Sequence, residues 1–176
     1  MINKRLELIT FGDIESLLNN EIRESKTLEY KSILPHDGES EKIPFLASVS
    51  ALANTEGGDI VFGIIEKKGI PVELLGLEVK DVDGEILRLE NAIQTGLEPR
   101  LTRFQSRVIK DQDGKIFLVL RIQKSWNSPH RVCFKDHAKF YKRNSAGKYP
   151  MDVSELRTAF FLSEQISDRI RSFRNL

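Results

Sequence analysis

The stretch 50–63 constrains the fold more than any other part of the 176-residue sequence. Among its first residues, Ser50, Ala51 and Ala53 are small enough to let a helix pack closely against a sheet. Gly57 and Gly58 then permit a tight turn, because glycine adopts backbone conformations that other residues avoid. An apolar run at 60–65 follows and is typical of a strand buried on both faces. The stretch therefore predicts a helix, a turn and a buried strand at the core of one domain.

Apolar periodicity predicts further helices and strands on either side of this unit. Apolar positions three and four residues apart mark amphipathic helices, whereas alternation of apolar and polar residues marks strands. Helical spacing occurs at 13–23, 41–53, 82–97 and from 152 onward, and strand patterns occur at 27–31, 72–79, 106–110, 115–123, 131–134 and 139–143. Helices mixed with runs of strands predict an α+β domain.

Length and composition indicate one globular domain. With 176 residues, 40% hydrophobic and 30% charged, the chain can bury a single sizeable core. No run of roughly 18 apolar residues occurs and no apolar segment follows the first residues, so we expect a cytoplasmic protein without a membrane partner. Cys133, the single cysteine, excludes an internal disulfide and a thiolate zinc site.

The closing helix carries an apolar stripe that continues almost to the last residue. No C-terminal capping signal follows it. We therefore expect a domain over residues 1–162, a helical extension over 163–176, and a further effector domain in a longer natural protein. The stripe consists of Val153, Leu156, Phe160, Phe161, Ile166, Ile170 and Phe173.

Charge is distributed unevenly along the chain. Residues 100–148 contain 13 Lys and Arg against three Asp and no Glu, a local net charge of +10, although the whole chain has a net charge of +1. A cationic face of this kind is typical of proteins that hold a nucleic-acid backbone. The alternative is that the basic segment and the acidic remainder neutralise each other across the fold.

Residues 139–148 combine cations with a hydroxyl and a glycine at a predicted strand-to-loop corner. Cationic side chains, Ser145 and the backbone amides near Gly147 are groups that grip phosphate. The alternative is an ordinary solvated basic hairpin. No P-loop sequence occurs, so we expect no ATP site in this chain. The predicted nucleic-acid contacts are Arg131, Lys135, Lys139, Lys142, Arg143 and Lys148.

Two acidic residues and a lysine lie in and just before the first predicted strand. Glu29 and Lys31 share one strand face, whereas Glu24 must fold back from the turn before it. A metal-dependent nuclease needs two or three carboxylates around Mg²⁺ or Mn²⁺, and a neighbouring ammonium would polarise the attacking water. An ordinary ion pair between Glu29 and Lys31 is the alternative. Strand parity leaves both Asp59 and Glu66 open as a third carboxylate.

Three sequence blocks occur in a characteristic order: ESKTLEYK at 24–31, ALANTEGGDIVFG at 51–63 and FYKRNS at 140–145. In this order and spacing they resemble the Schlafen AlbA_2 domain family. The resemblance implies an α+β fold with a mixed, mainly antiparallel β-sheet flanked by helices. It also implies a nucleic-acid role.

In members of this family that cut transfer RNA, two acids of the first block and one acid after the glycine-bearing strand form a metal-binding endoribonuclease site. Glu24 and Glu29 match the first two acids. The third usually stands two residues after the strand glycine, where this chain has Ile65, with Glu66 beside it. The resemblance therefore implies either that Glu66 replaces this acid after a one-residue shift or that the site is degenerate.

We accordingly expect a nucleic-acid-binding domain that acts as a Mg²⁺- or Mn²⁺-dependent endoribonuclease on tRNA-like or other structured RNA. Glu24, Glu29 and Glu66 would hold the metal, and Lys31 would assist electrostatically. Because nuclease cores of the family pair two lobes, a homodimer would complete the clamp. The alternatives are a non-catalytic DNA-binding module of a transcription regulator and a sensor or oligomerisation domain for a C-terminal effector. No pattern in the chain distinguishes RNA from DNA.

Overall fold

Helix α2 (Glu39–Asn54) lies between two β-sheets and forms the centre of the fold. The computed structural model describes residues 1–174, except for the side chains of 167–171, 173 and 174. Every side chain of α2 from 45 to 53 is buried. A helix that is buried on all sides belongs to the core of a domain, and both sheets use α2 as a packing surface.

The first sheet has four strands, in the order β1 (Leu28–Lys31), β2 (Gly57–Phe62), β7 (Ile116–Gln123) and β6 (Phe104–Lys110). β1 runs parallel to β2, with α2 as the crossover between them, and the other neighbours are antiparallel. One face packs on α2, and the other is covered by α1 (Phe11–Asn19) and the N-terminal segment. The predicted α+β class with a mixed, mainly antiparallel sheet is therefore confirmed.

The second sheet closes the opposite side of α2. Its antiparallel strands are β10 (Gly147–Pro150), β9 (His137–Asn144), β8 (Arg131–Phe134) and β5 (Leu97–Glu98), which directly follows α3 (Val82–Gly96). Asn54, at the end of α2, donates from its side chain to the carbonyls of His130 and Tyr141, at 3.0 and 2.9 Å. Its Oδ1 accepts from the N–H of His130 at 2.7 Å. One side-chain amide thus joins the helix to two parts of this sheet.

The predicted long strand after the glycine pair is divided at Gly63. This residue has φ +97°, and a Cβ there would lie 2.9 Å from the Phe117 side chain, so the position requires glycine. The chain then forms a separate hairpin of β3 (Ile64–Lys67) and β4 (Ile70–Leu74). The edge strand predicted at 72–79 is therefore wrong in its bounds. The turn between β3 and β4 is short, so the segment that pairs with β3 begins at Ile70 and ends at Leu74.

Helix α4 (Val153–Arg174) contacts the second sheet through Phe160 and Glu155. Phe160 meets Phe140 of β9 edge-on, with ring centroids 5.8 Å apart, and both Phe160 and Phe161 remain exposed. None of the described helices is long and apolar enough to cross a membrane.

Several predictions concern the C-terminal part of the chain. The boundary predicted between residues 162 and 163 lies inside α4. The separate extension, the further effector domain and the homodimer stay predictions, because nothing in this fold tests them. The side chains of Ile170 and Phe173, which complete the predicted apolar stripe, lie outside the described residues.

A buried ion pair ties the N-terminal segment to the first sheet. Arg121 donates from Nε and Nη2 to the two carboxylate oxygens of Asp59, at 2.7 and 2.9 Å, and Asp59 is fully buried. The same guanidinium donates to the backbone carbonyls of Ile2 and Lys4. The N–H of Ile2 donates to Asp59 at 2.7 Å. Each partner therefore satisfies groups that would otherwise be buried unpaired.

Replacing Arg121 by alanine is expected to lower the free energy of unfolding by about 3 kcal/mol, because the Asp59 carboxylate then stays buried without its cation. Urea titration followed by circular dichroism measures this change. The matched control is Arg131→Ala, which removes an exposed arginine paired with Glu98 and should move the midpoint little. Equal losses in the two variants would contradict the special role of the buried pair.

Candidate functional site

The carboxylate of Glu29 lies at the centre of a buried cluster that joins α2 to both sheets. Lys31 Nζ lies 2.9 Å from Oε1, and the hydroxyl of Ser48 on α2 donates to the same oxygen at 2.7 Å. Arg143 on β9 pairs with Oε2, and Lys148 Nζ on β10 lies 3.8 Å from Oε1. Three layers of the fold therefore meet on one acidic side chain.

The cations of this cluster keep Glu29 ionised. Burial opposes its ionisation, but Lys148, Lys31 and Arg143 outweigh burial and lower the pKa of Glu29 from 4.5 to about 2. Burial also lowers the pKa of the Lys148 ammonium, an effect that the Glu29 carboxylate opposes. Glu29 is therefore a carboxylate at neutral pH, and its charge is already compensated by neighbouring side chains.

Arg143, predicted as a phosphate contact, is instead buried, with 4% of its surface exposed. Besides pairing with Glu29, its guanidinium donates to the backbone carbonyls of Ser25 and Leu28, at 2.9 and 3.2 Å. The alternation of β9 turns this side chain toward α2, where the buried carboxylate needs a cation. The expectation of a surface phosphate contact is therefore not met by Arg143, and Lys148 points into the same cluster.

The other predicted cations do not form one surface. Lys139 is exposed on β9 and has no ion pair among the described side chains. The remaining three form the ion pairs Arg131–Glu98, Lys135–Glu39 and Lys142–Glu155. All these acidic partners lie outside residues 100–148, as do Glu29 and Asp59. Five of the six predicted contacts are thus paired with acids elsewhere in the fold, and the six do not build the single cationic face that the charge distribution suggested.

Two of the predicted acids meet at the turn between β3 and β4. Glu24 folds back over the start of β1, and its Oε1 accepts from the N–H of Tyr30 at 2.8 Å. Its own N–H donates to the carbonyl of Gly69 at 2.7 Å, and the N–H of Gly69 donates to Glu66 at 2.5 Å. The pairing of β3 with β4 is irregular between Ile65 and Glu66, a feature that redirects side chains. Burial raises the pKa of Glu24, although the bond from Tyr30 opposes this effect.

The predicted acids do not come together in one group. No group of three or more His, Cys, Asp or Glu side chains that could hold a metal ion occurs among the described residues. Both oxygens of Glu29 already accept from cations, which a divalent ion would have to displace. Strand register aligns Asp59 with Leu28, and Glu29 with Ile60, so strand alternation turns Asp59 and Glu29 to opposite faces of the sheet. Asp59 is therefore wrong as the alternative third ligand.

A polar cleft of about 200 Å³ opens between the β3–β4 turn and the β9–β10 turn. Glu24, Arg143 and Ser145 line it. Two exposed cations, Arg23 and Lys68, complete its lining. Neither was predicted, although the sequence Lys-Lys-Gly at 67–69 is a signal for a turn that carries cations. The structure thus places its polar cleft beside Glu24, away from most of the predicted basic contacts.

Comparison with known proteins identifies a family and a fold. The Schlafen, AlbA_2 family model matches residues 24–152. The DIP2311 protein from Corynebacterium diphtheriae is similar in structure, with a TM-score of 0.52 and 17% identity. That match covers 81% of this chain but only 30% of the Corynebacterium chain, so this chain spans less than a third of its length.

A second solved structure is the N-terminal domain of a putative ATP-dependent DNA helicase RecG-related protein from Nitrosomonas europaea. It is 27% identical, with a TM-score of 0.47, and the match covers 62% of this chain and 72% of that chain. No curated protein matches this chain significantly.

Replacing Glu29 by glutamine is expected to lower the free energy of unfolding by about 3 kcal/mol at neutral pH, because Arg143 and Lys148 then lack a compensating charge. The folded-state pKa of about 2 lies below the ordinary value of 4.5. The contribution of the carboxylate is therefore complete above about pH 5 and is lost as the pH falls from 4.5 toward 2. The stability difference between wild type and variant should shrink across that window.

Urea unfolding at a series of pH values measures this difference. Glu15→Gln is the control, because Glu15 is exposed on α1 and its removal should leave the acid dependence unchanged. A difference between wild type and Glu29→Gln that stays constant down to the lowest pH would show that the cations do not depress the pKa of Glu29.

Proposed function

Because the chain belongs to the Schlafen AlbA_2 family, whose model matches residues 24–152, we propose that it binds a nucleic acid by its phosphate backbone. Membership of this family suggests a nucleic-acid-related function. The observation that carries the more specific proposal is the polar cleft beside Gly69. It combines the exposed cations Arg23 and Lys68 with the hydroxyl of Ser145 and the backbone of two turns.

The exposed cations of this cleft differ from five of the six predicted contacts, because no ion pair within the described part of the fold uses them. Arg23 and Lys68 have no ion-pair partner among the described side chains, so their charges are available to phosphate oxygens.

Replacing both Arg23 and Lys68 by glutamine is expected to weaken nucleic-acid binding about tenfold near physiological salt, because two phosphate contacts are lost. The slope of log affinity against log salt should fall by about one to two. Fluorescence anisotropy with end-labelled single-stranded RNA, transfer RNA and duplex DNA measures both quantities. The same titrations report the preference between RNA and DNA.

The matched control replaces Lys110 and Lys115, two exposed cations of the basic segment that do not line the cleft. This pair of substitutions removes the same charge and should change the affinity by less than about twofold. An affinity of the wild type that does not fall with salt would contradict backbone binding. Equal weakening by the two pairs of substitutions would show that the nucleic acid contacts the basic surface as a whole and not the cleft in particular.

A second candidate function is cleavage of the bound RNA by a Mg²⁺- or Mn²⁺-dependent endoribonuclease, as the family resemblance implies. The observation that favours it is that Glu24 lines the cleft while Glu66 accepts from Gly69 on the same turn. Two carboxylates thus lie beside the proposed path of the phosphates. Because Glu29 is engaged by its cations and Ile65 stands at the usual place of the third acid, binding is the leading proposal and cleavage the second.

Incubation with labelled transfer RNA, in Mn²⁺ or in chelator, separates the two functions. For binding alone, we expect intact RNA that stays bound under both conditions, because the cations and not a metal hold the phosphates. Metal-dependent cleavage that disappears in Glu24→Gln and in Glu66→Gln would establish the nuclease instead. Glu73→Gln is the control, since Glu73 is exposed on β4 and does not line the cleft.

A further inference from the structure

An apolar pocket of about 230 Å³ lies beside the Glu29 cluster, and its lining shares no residue with the polar cleft. The end of β1 and the segment after it form one wall, and the first turns of α2 form the other. Side chains of β2 form the floor. The lining includes Leu34, Pro44, Phe45, Ile60 and Phe62, with Lys31 at the end nearest Glu29. Neither the proposed backbone contact nor the candidate acids use this pocket.

We propose that this pocket holds one unpaired nucleobase, an inference that rests on the proposed function and extends it from the backbone to the base. The flat apolar faces of a base pack favourably on aromatic and aliphatic side chains. Phe45 and Phe62 lie against each other, with ring centroids 6.3 Å apart, and support the pocket from below. The volume suits a single ring system, because drug-sized ligands need about 300 Å³ or more.

Polar groups of the lining match the hydrogen-bonding edge of a base. Lys31 uses one N–H bond for Glu29 and keeps donors for the oxygen or ring nitrogen of a base. Pro44 has no N–H, so the carbonyl of Ser40, one turn earlier in α2, lacks that helix donor and can accept from an exocyclic amine. A donor and an acceptor in an apolar pocket are what a base edge requires, whereas the carboxylate of a fatty acid would use the donor alone.

A single carboxylate separates this pocket from the polar cleft. Glu29 binds Arg143, which lines the cleft, through Oε2. Through Oε1 it binds Lys31 and Ser48, which line the pocket. The pocket and the cleft therefore contact the same buried carboxylate from two sides. Lys148, whose Nζ lies 3.0 Å from Ser48 Oγ, supplies positive charge between the two.

Ile33→Glu tests the pocket. Ile33 belongs to the lining and is 55% exposed, so the substitution is compatible with folding and places a carboxylate where the base and its phosphate approach. Leu87→Glu is the matched control, because Leu87 is 59% exposed and lies outside the pocket. The probes are 2-aminopurine ribonucleoside monophosphate and a short end-labelled single-stranded RNA with one internal 2-aminopurine.

In wild type and in Leu87→Glu, we expect a saturable change in the 2-aminopurine fluorescence of both probes. Ile33→Glu should weaken this response about tenfold, because a charge enters an apolar site that also approaches a phosphate. Anisotropy of the RNA end label should change less, since the backbone contacts persist. Lys31→Met, which removes the donor of the lining, provides a second variant, and circular dichroism verifies that both variants fold.

RNA binding by anisotropy without a 2-aminopurine response from either probe would overturn the base pocket and leave backbone binding intact. A response to the monophosphate without RNA binding would retain the pocket as a site for a free nucleotide and overturn the proposed function. Equal weakening in Ile33→Glu and Leu87→Glu would overturn the placement of the base. A short fatty acid that displaces the monophosphate more readily than adenosine monophosphate does would also overturn the proposal. That result would assign the pocket to an acyl chain.

Discussion

The rest of the structure depends on the ion pairs and the hydrogen bond that the ionised carboxylate of Glu29 forms. A buried charge is costly unless it is paired, and here Arg143 and Lys148 from the second sheet and Ser48 from α2 provide the partners. Because Arg143 also binds backbone carbonyls next to β1, the cluster determines how the second sheet sits on the first. That placement brings the β9–β10 turn to the β3–β4 turn and so creates the polar cleft.

The same cluster explains why net charge along the chain is a poor guide to the binding surface. The basic segment 100–148 supplies cations to acids elsewhere in the fold, including the buried Asp59. Such pairing removes charge from the surface without removing it from the sequence count. The cations that remain available beside the site, Arg23 and Lys68, come from parts of the chain where basic residues are not concentrated. The proposed function therefore rests on charge that the fold leaves unpaired.

Much of the fold could be predicted, because periodicity is a local property. The helix at 82–97 and the hairpin of β6 and β7 are found within a few residues of their predicted bounds. The strand predicted through 60–65 is divided because Gly63 must pass close to the Phe117 ring, a contact between residues far apart in sequence. An apolar run shows that a segment is buried, but it does not show where one strand ends and the next strand begins to pair with a different neighbour.

The sequence by itself determined the α+β class and the closeness of Glu29 to Lys31, because these depend on periodicity and on neighbours along one strand. Three sequence blocks indicated the family by their resemblance to it. The sequence also placed Glu24 over the start of β1. Only the tertiary structure decided that Arg143 faces inward, that Asp59 faces away from Glu29, and that a cleft and a pocket adjoin one carboxylate. The physical reason is that strand alternation fixes which residues share a face of a strand. Packing between segments that are distant in sequence determines which other element that face contacts.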